Sequence, residues 1–262
     1  PPPQPLRRAP LRPILSATPP HPFLVTPAWL AENLHAVTIL DIRGEVQKAP
    51  PPPDDAASPD SPHRRPFAYR AKRDAFAAAH IPGAVFVDWT STIVDSAGAD
   101  PALVQLASAD QFSAEMAEAG VSQGTPVVIY DDGAMLFATR LWWAFQVHGG
   151  ADVRVLDGGW TRWLRESRPV SDATSCPLER YGDYDANRGT PSLLVSSAAA
   201  AAAFANSIPS TNPARIVVDA RSRAQHSGAE QRGMRAGRVP GAVSLPYRDL
   251  LSPGGVGFAE VG

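Results

Sequence analysis

Thr38-Ile39-Leu40-Asp41-Ile42-Arg43 returns later in the chain as Ile216-Val217-Val218-Asp219-Ala220-Arg221: a mostly β-branched run closed by Asp, one apolar residue and Arg. The surroundings of the two copies correspond as well. Phe23-Leu24-Val25-Thr26-Pro27 and a helix-like stretch precede the first copy; Leu193-Leu194-Val195-Ser196-Ser197 and an alanine run precede the second. Downstream, His80-Ile81-Pro82-Gly83-Ala84-Val85 is echoed by Arg238-Val239-Pro240-Gly241-Ala242-Val243, Pro240 following Pro82 by 158 positions. Such coincidences in one order indicate a duplicated domain.

Each unit alternates short β-branched runs with helical patterns, the signature of an α/β domain with a mainly parallel sheet and flanking helices. The expected strands are Thr38–Asp41, Val85–Asp88, Val127–Tyr130 and Val153–Leu156, then Arg215–Asp219 and Ala242–Leu245. Thr26 before Pro27 reads as a helix cap with proline at the first helical position. Ser108 with Gln111 reads as a capping box, Phe112 and Met116 share a face, and Gly120 stops the helix. A further apolar helix is expected over Leu136–Gln146. Gly44–Arg70 carries Pro50–Pro53, Asp54, Asp55, Pro59 and Pro62 and reads as a surface insertion with too little apolar material to order itself. The resulting division is an N-terminal stretch over 1–22, a first domain over 23–170, a linker over 171–190 and a second domain over 191–262.

The 262 residues are 44% hydrophobic and carry a net charge of −2, enough apolar material for one large or two ordinary cores, with two domains favoured, and no field to attract nucleic acid or an anionic membrane. Asp, Arg, Gly or Pro interrupts every hydrophobic run before the ~18 residues a membrane span needs. The single cysteine, Cys176, excludes an intrachain disulfide and a multi-thiolate zinc site. Neither metal nor cofactor is expected. Arg7, Arg8 and Arg12 lie among prolines ahead of the first acidic residue, Glu32. That bias fits an organelle transit peptide and a merely Pro-rich terminus alike. A mitochondrial location is expected, with cytoplasm or plastid as alternatives. The chain starts at Pro1, so a processed or partial product is also expected.

Phe76-Ala77-Ala78-Ala79-His80-Ile81-Pro82-Gly83-Ala84 resembles the rhodanese-family motif of an aromatic residue, three residues, then His, an aliphatic, Pro, Gly and Ala. Val155-Leu156-Asp157-Gly158-Gly159-Trp160 with Trp163 resembles the segment that closes a rhodanese domain, and Asp41-Ile42-Arg43 stands upstream in family order. The resemblance covers Phe23 to Leu251 and implies two tandem rhodanese-like domains similar to the thiosulfate and 3-mercaptopyruvate sulfurtransferases. By themselves these motif residues read as structural: Pro-Gly sets a turn, His80 orders a loop, and Gly158-Gly159 turns a strand into a helix.

The resemblance also implies the chemistry. A cysteine after a central strand opens a loop whose inward N–H groups lower the thiol pKa and hold a persulfide, which passes sulfur from a small anionic donor to a thiol or sulfur-carrier protein. In the first unit Asp131 stands at that cysteine position, in Asp131-Asp132-Gly133-Ala134-Met135-Leu136, and a carboxylate cannot carry a persulfide. The 158-residue offset would carry the second unit's cysteine beyond Gly262, so the second domain is expected to be incomplete and the chain inactive as written. Cys176, before Pro177 in the linker, lacks a strand-to-helix setting. Of the two arginines that hold the substrate carboxylate in mercaptopyruvate sulfurtransferases, Gln225 falls at the first position with Arg223 two residues earlier, and Arg232 lies one residue from the second. Arg223 and Arg232 are therefore the candidate substrate-binding residues, with solvated loop charges as the alternative. A sulfurtransferase lineage, a non-catalytic rhodanese-like binding or regulatory module, and the related phosphatases, which need a longer cysteine loop, are the functions to separate.

Overall fold

The computed structural model describes residues 15, 19, 21–48, 67–94, 106–149, 152–173, 181–186, 189–190, 216–231 and 236–259. Its first unit runs β1 (Leu24–Val25), α1 (Pro27–Asn33), β2 (Thr38–Asp41), β3 (Gly44–Lys48), β4 (Phe67–Ala71), α2 (Arg73–Ala78), β5 (Ala84–Phe86), α3 (Ala109–Glu118), β6 (Val127–Tyr130), α4 (Leu136–His148), β7 (Val153–Leu156) and α5 (Gly159–Arg165). Five strands form one sheet in the order β1-β7-β6-β2-β5, every neighbouring pair parallel. Side chains alternate across a strand, so β6 feeds two cores. Val127 and Ile129 pack with Phe112, Met116, Leu141 and Phe145, while Val128 and Tyr130 pack with Trp29, Leu30 and Trp163.

Local signals set the helix ends. The Thr26 hydroxyl accepts from the Trp29 N–H at 3.2 Å, and the Ser108 hydroxyl accepts from Gln111 N–H at 3.2 Å. The return half of the capping box does not form: Gln111 Nε2 donates instead to the carbonyls of Ser91 and Val94, at 3.0 and 3.2 Å. Helix α4 runs two residues past Gln146 and stops where Gly149 turns to φ 86°. Strand β5 is shorter than Val85–Asp88, although the Val87 N–H still reaches the Asp41 carbonyl at 2.8 Å.

The expectation that Gly44–Arg70 lacks order is corrected at both of its ends. β3 and β4 form an antiparallel ladder with Val46 opposite Tyr69, and the Tyr69 ring meets Trp89 edge-on at 5.2 Å. An aromatic anchor inside the first unit supplies what the Pro/Asp-rich composition lacks; residues 49–66, which carry that composition, lie outside the described residues. Part of the stretch read as a linker also lies on the first unit. Tyr184 and Ala186 are buried, the Gly182 N–H donates to the Ala117 carbonyl at 2.8 Å, and Asp183 accepts from Gln123 N–H at 2.7 Å.

In the second unit β8 (Val218–Asp219) pairs in parallel with β9 (Val243–Ser244), joined through α6 (Arg223–Ser227) and followed by a 3-10 turn at Tyr247–Leu250. Both strands are shorter than Arg215–Asp219 and Ala242–Leu245, and Arg215 lies outside the described residues. The duplication holds at the level of register. Asp41 lies opposite Phe86 and Asp219 opposite Ser244, each four residues after its motif proline. Gly83 and Gly241 share a φ near 79°, which glycine adopts without penalty. β2 is paired on both sides, whereas β8 is paired only with β9 among the described residues.

Candidate functional site

The loop between β6 and α4 leaves the carboxyl end of the central strand and enters the helix at Met135, whose φ is 60°. Ligands of open parallel sheets bind at such ends. Its N–H groups turn inward, and the Asp131 side chain occupies the space they enclose. Asp131 Oδ1 accepts from Gly133 N–H at 2.7 Å and Met135 N–H at 3.2 Å, and Oδ2 accepts from Phe137 at 3.0 Å and Ala138 at 3.2 Å. Four donors aimed at two oxygens are the complement of an ionised carboxyl. Burial, the larger effect, holds the Asp131 carboxyl above the usual carboxylate range, and the four N–H groups offset only part of that rise. Neighbouring elements brace the loop. Trp160 N–H donates to the Asp131 carbonyl at 2.8 Å, Lys72 pairs with Asp132 at 3.1 Å, and the Thr161 hydroxyl donates to the Asp132 carbonyl.

Beside the loop a polar cluster crosses the sheet. Arg43 Nε contacts both Asp41 oxygens at 3.1 and 2.9 Å, and its Nη2 donates to the Ala79 carbonyl at 2.7 Å. Its guanidinium lies 4.6 Å over the Trp160 ring. The Tyr130 hydroxyl donates to Asp41 Oδ2 at 2.5 Å and accepts from Ile81 N–H at 3.3 Å. Burial and then the Asp41 charge push Tyr130 well above its ordinary range, so this hydroxyl remains a donor. His80 stacks on Phe76 at 4.1 Å, its Nδ1 lies 2.8 Å from the Phe76 carbonyl, and its backbone exchanges two hydrogen bonds with Ser171. His80, Asp41 and Arg43 therefore order loops. The second unit repeats the device: Arg221 Nε and Nη2 reach Asp219 at 2.9 and 2.8 Å, and Nη2 also reaches the Gly237 carbonyl at 2.7 Å, Gly237 standing three residues before its proline as Ala79 does.

The candidate substrate arginines fall differently. Arg223 is 72% exposed and its Nη2 pairs with Asp249 Oδ2 at 2.6 Å, while Arg232 lies outside the described residues, as does Cys176. Gln225 is buried and donates to Glu230 Oε1 at 3.0 Å. Among the described residues no cluster of three or more metal-ligating side chains occurs, and no helix is long and apolar enough to cross a membrane.

A family model for the rhodanese-like domain matches residues 26–166, more than half of the chain. The chain belongs to the rhodanese-like family. This rhodanese-like chain is 30% identical over 241 residues to the 3-mercaptopyruvate sulfurtransferase of Mus musculus, covering 89% of this chain and 72% of that protein. It is 30% identical over 190 residues to the thiosulfate sulfurtransferase of Gallus gallus, and there it spans 61% of the relative's length. It is 29% identical to the sulfur carrier protein TtuD of Thermus thermophilus over 67% of this chain and 61% of that protein. The tandem fold matches that of the 3-mercaptopyruvate sulfotransferase SseA of Escherichia coli with a TM-score of 0.65 at 24% identity, over 92% of this chain and 80% of that one.

Sequence reading located Asp131, the Asp-x-Arg pairs and the Gly158-Gly159 turn. It missed the Tyr130–Asp41 bond, the Lys72–Asp132 pair and the bond from Phe258 N–H to Asp157 Oδ1 at 3.0 Å. The last joins residues 101 positions apart, and no periodicity or motif signals it.

Proposed function

We propose that the chain is part of a sulfurtransferase of the thiosulfate/3-mercaptopyruvate type, and that its first repeat supports the protein without performing the chemistry. The complete protein would move sulfane sulfur from a small anionic donor to a thiol or a sulfur-carrier protein through a cysteine persulfide, without metal or cofactor and in the mitochondrion. One observation carries the assignment of the first repeat: the Asp131 carboxyl accepts from four N–H groups, those of Gly133 and Met135 in the β6–α4 loop and of Phe137 and Ala138 in the first turn of α4. In such a loop the donors and the helix N-terminus would stabilise a thiolate, a persulfide or a bound anion. A fixed carboxylate satisfies the donors itself, repels an anionic donor and offers no sulfur. The same filled loop also favours a second reading, a non-catalytic rhodanese-like binding or regulatory module.

A thiosulfate:cyanide assay of these 262 residues tests the first-repeat assignment. We expect no turnover above buffer and no change with Cys176→Ser; turnover that survives the substitution would refute it, and turnover abolished by the substitution would overturn the reading of Cys176 as a non-catalytic linker residue. Sequencing the transcript beyond the Gly262 codon separates the two readings. A cysteine opening a strand–loop–helix there supports the sulfurtransferase, and a stop codon supports the module.

A further inference from the structure

Residues 250–259 close on themselves and rest on the first repeat at its β6–α4 loop. Ser252 N–H donates to the Gly257 carbonyl at 3.0 Å, Gly255 N–H to Ser252 at 2.8 Å and Ala259 N–H to Leu250 at 2.9 Å, with Leu251 and Phe258 bridged across the base. Two backbone donors then leave this loop for the first repeat: Gly257 N–H to the Gly133 carbonyl at 3.0 Å, and Phe258 N–H to Asp157 Oδ1 at 3.0 Å. Leu251 and Phe258 pack against the first repeat's core. The approach admits only glycine. A Cβ on Gly257 would stand 2.7 Å from Asp157 Oδ1 and 3.1 Å from Gly158 N, at a φ of +75°. Gly133 is equally confined, its Cβ position lying 2.7 Å from the Gly158 carbonyl at a φ of +121°.

Gly133 therefore works in two directions. Its N–H is drawn inward by Asp131 at 2.7 Å, and its carbonyl is presented outward to Gly257 at 3.0 Å. We propose that Asp131 is a positioning residue for the second repeat: by fastening the β6–α4 loop from inside, it aims the Gly133 carbonyl at residues 250–259 and makes the loop their seat. Gly257 and Asp157 complete the contact, and Arg162, paired with the other Asp157 oxygen, steadies it. The contact couples the repeats reciprocally, so loosening either side loosens the other. The inference is independent of whether the chain turns over any donor.

Hydrogen exchange on the full chain tests it, following residues 250–259, Gly133–Met135 and Val127–Tyr130 in parallel. Asp131→Ala should speed exchange across 250–259 about tenfold, the scale of losing a hydrogen bond, while Val127–Tyr130 stays protected. Asp131→Asn should fall between, since its oxygen still accepts from Gly133 and Met135 while its NH2 faces the Phe137 and Ala138 donors. Gly257→Ala leaves the four bonds to the Asp131 carboxyl untouched, yet should speed exchange at 250–259 and, by reciprocity, at Gly133–Met135. Unchanged exchange at 250–259 in a folded Asp131→Ala protein would overturn the proposal. If Asp131→Ala does not fold, Gly257→Ala decides, and unchanged exchange at Gly133–Met135 would overturn it.

Discussion

The two Asp-x-Arg pairs share one geometry at two depths, and removing each arginine should cost very different amounts. Arg43 and Asp41 are 2% and 0% exposed, whereas Arg221 and Asp219 are 43% and 9% exposed. Arg43→Ala leaves the Asp41 carboxylate buried with only the Tyr130 hydroxyl and the residue-43 N–H as partners, strands the Ala79 carbonyl and empties the space over Trp160. Breaking a buried ion pair from one side costs about 3–5 kcal/mol. At roughly 2–4 °C per kcal/mol for a domain of this size, the melting temperature should fall by about 6–20 °C. Arg43→Lys should recover only part of the loss, because an ammonium cannot span two carboxylate oxygens and a carbonyl. Arg221→Ala removes a half-exposed partner whose site water can fill, at a cost of about 0–1 kcal/mol. The assay follows from composition: the six tryptophans run from Trp29 to Trp163, so selectively excited tryptophan fluorescence during urea unfolding reports the first repeat. Arg43→Ala should shift that transition and Arg221→Ala should leave it in place. A loss below about 1 kcal/mol for Arg43→Ala would refute the reasoning, because a buried, multiply bonded pair would then be behaving as a surface pair.

Amides of Ile216–Val218 should exchange far faster than those of Val127–Tyr130, because Ile216 and Val218 are 67% and 50% exposed while β6 is wholly buried between two neighbours; equal protection would contradict this. Hydrogen bonds from Arg221 hold Asp219 well below the usual carboxylate range, so its contribution to stability is present above the unfolded value of about 3.9 and is lost as pH falls below it. Protection around Asp219, corrected for intrinsic exchange, should therefore decline on acidification below about pH 4, and a rise would count against the pair. Gly182→Ala should lower the first repeat's fluorescence transition, since the added Cβ would collide with the Val121 carbonyl; an unchanged transition would show that the 181–186 stretch is not fastened there. A fragment ending at residue 190 should melt cooperatively and above one ending at 170, because Tyr184 and Ala186 belong to the first core. Equal melting of the two fragments would support a boundary at 170.

How much was legible depended on how far apart the interacting groups lie. The duplicated Asp-x-Arg and Pro-Gly-Ala segments declared the repeat, and the β-branched runs located three first-repeat strands with the ends they have in the fold, Thr38–Asp41, Val127–Tyr130 and Val153–Leu156. Thr26 and Ser108 marked helix starts because a cap is a contact over three residues. The Gln111 side chain escaped the same reading because Ser91 and Val94, brought near by the chain's return, offered competing carbonyls. Composition likewise misjudged the ends of Gly44–Arg70, whose order comes from Trp89, a residue outside the segment.

By itself the sequence determined the α/β class, the duplication, the family resemblance and the presence of Asp131 where that resemblance expects a cysteine. These follow from residue type and short-range spacing, which period-2 strands, caps and φ-positive glycines encode directly. Only the tertiary structure decided that Asp131 closes its own ring of donors, that Arg43 is buried where Arg221 is half exposed, and that Gly257 and Phe258 rest on Gly133 and Asp157. Burial and hydrogen-bond partnership are set by which distant segments the fold brings within about 3 Å, and backbone groups carry no side-chain identity by which a sequence could announce that pairing.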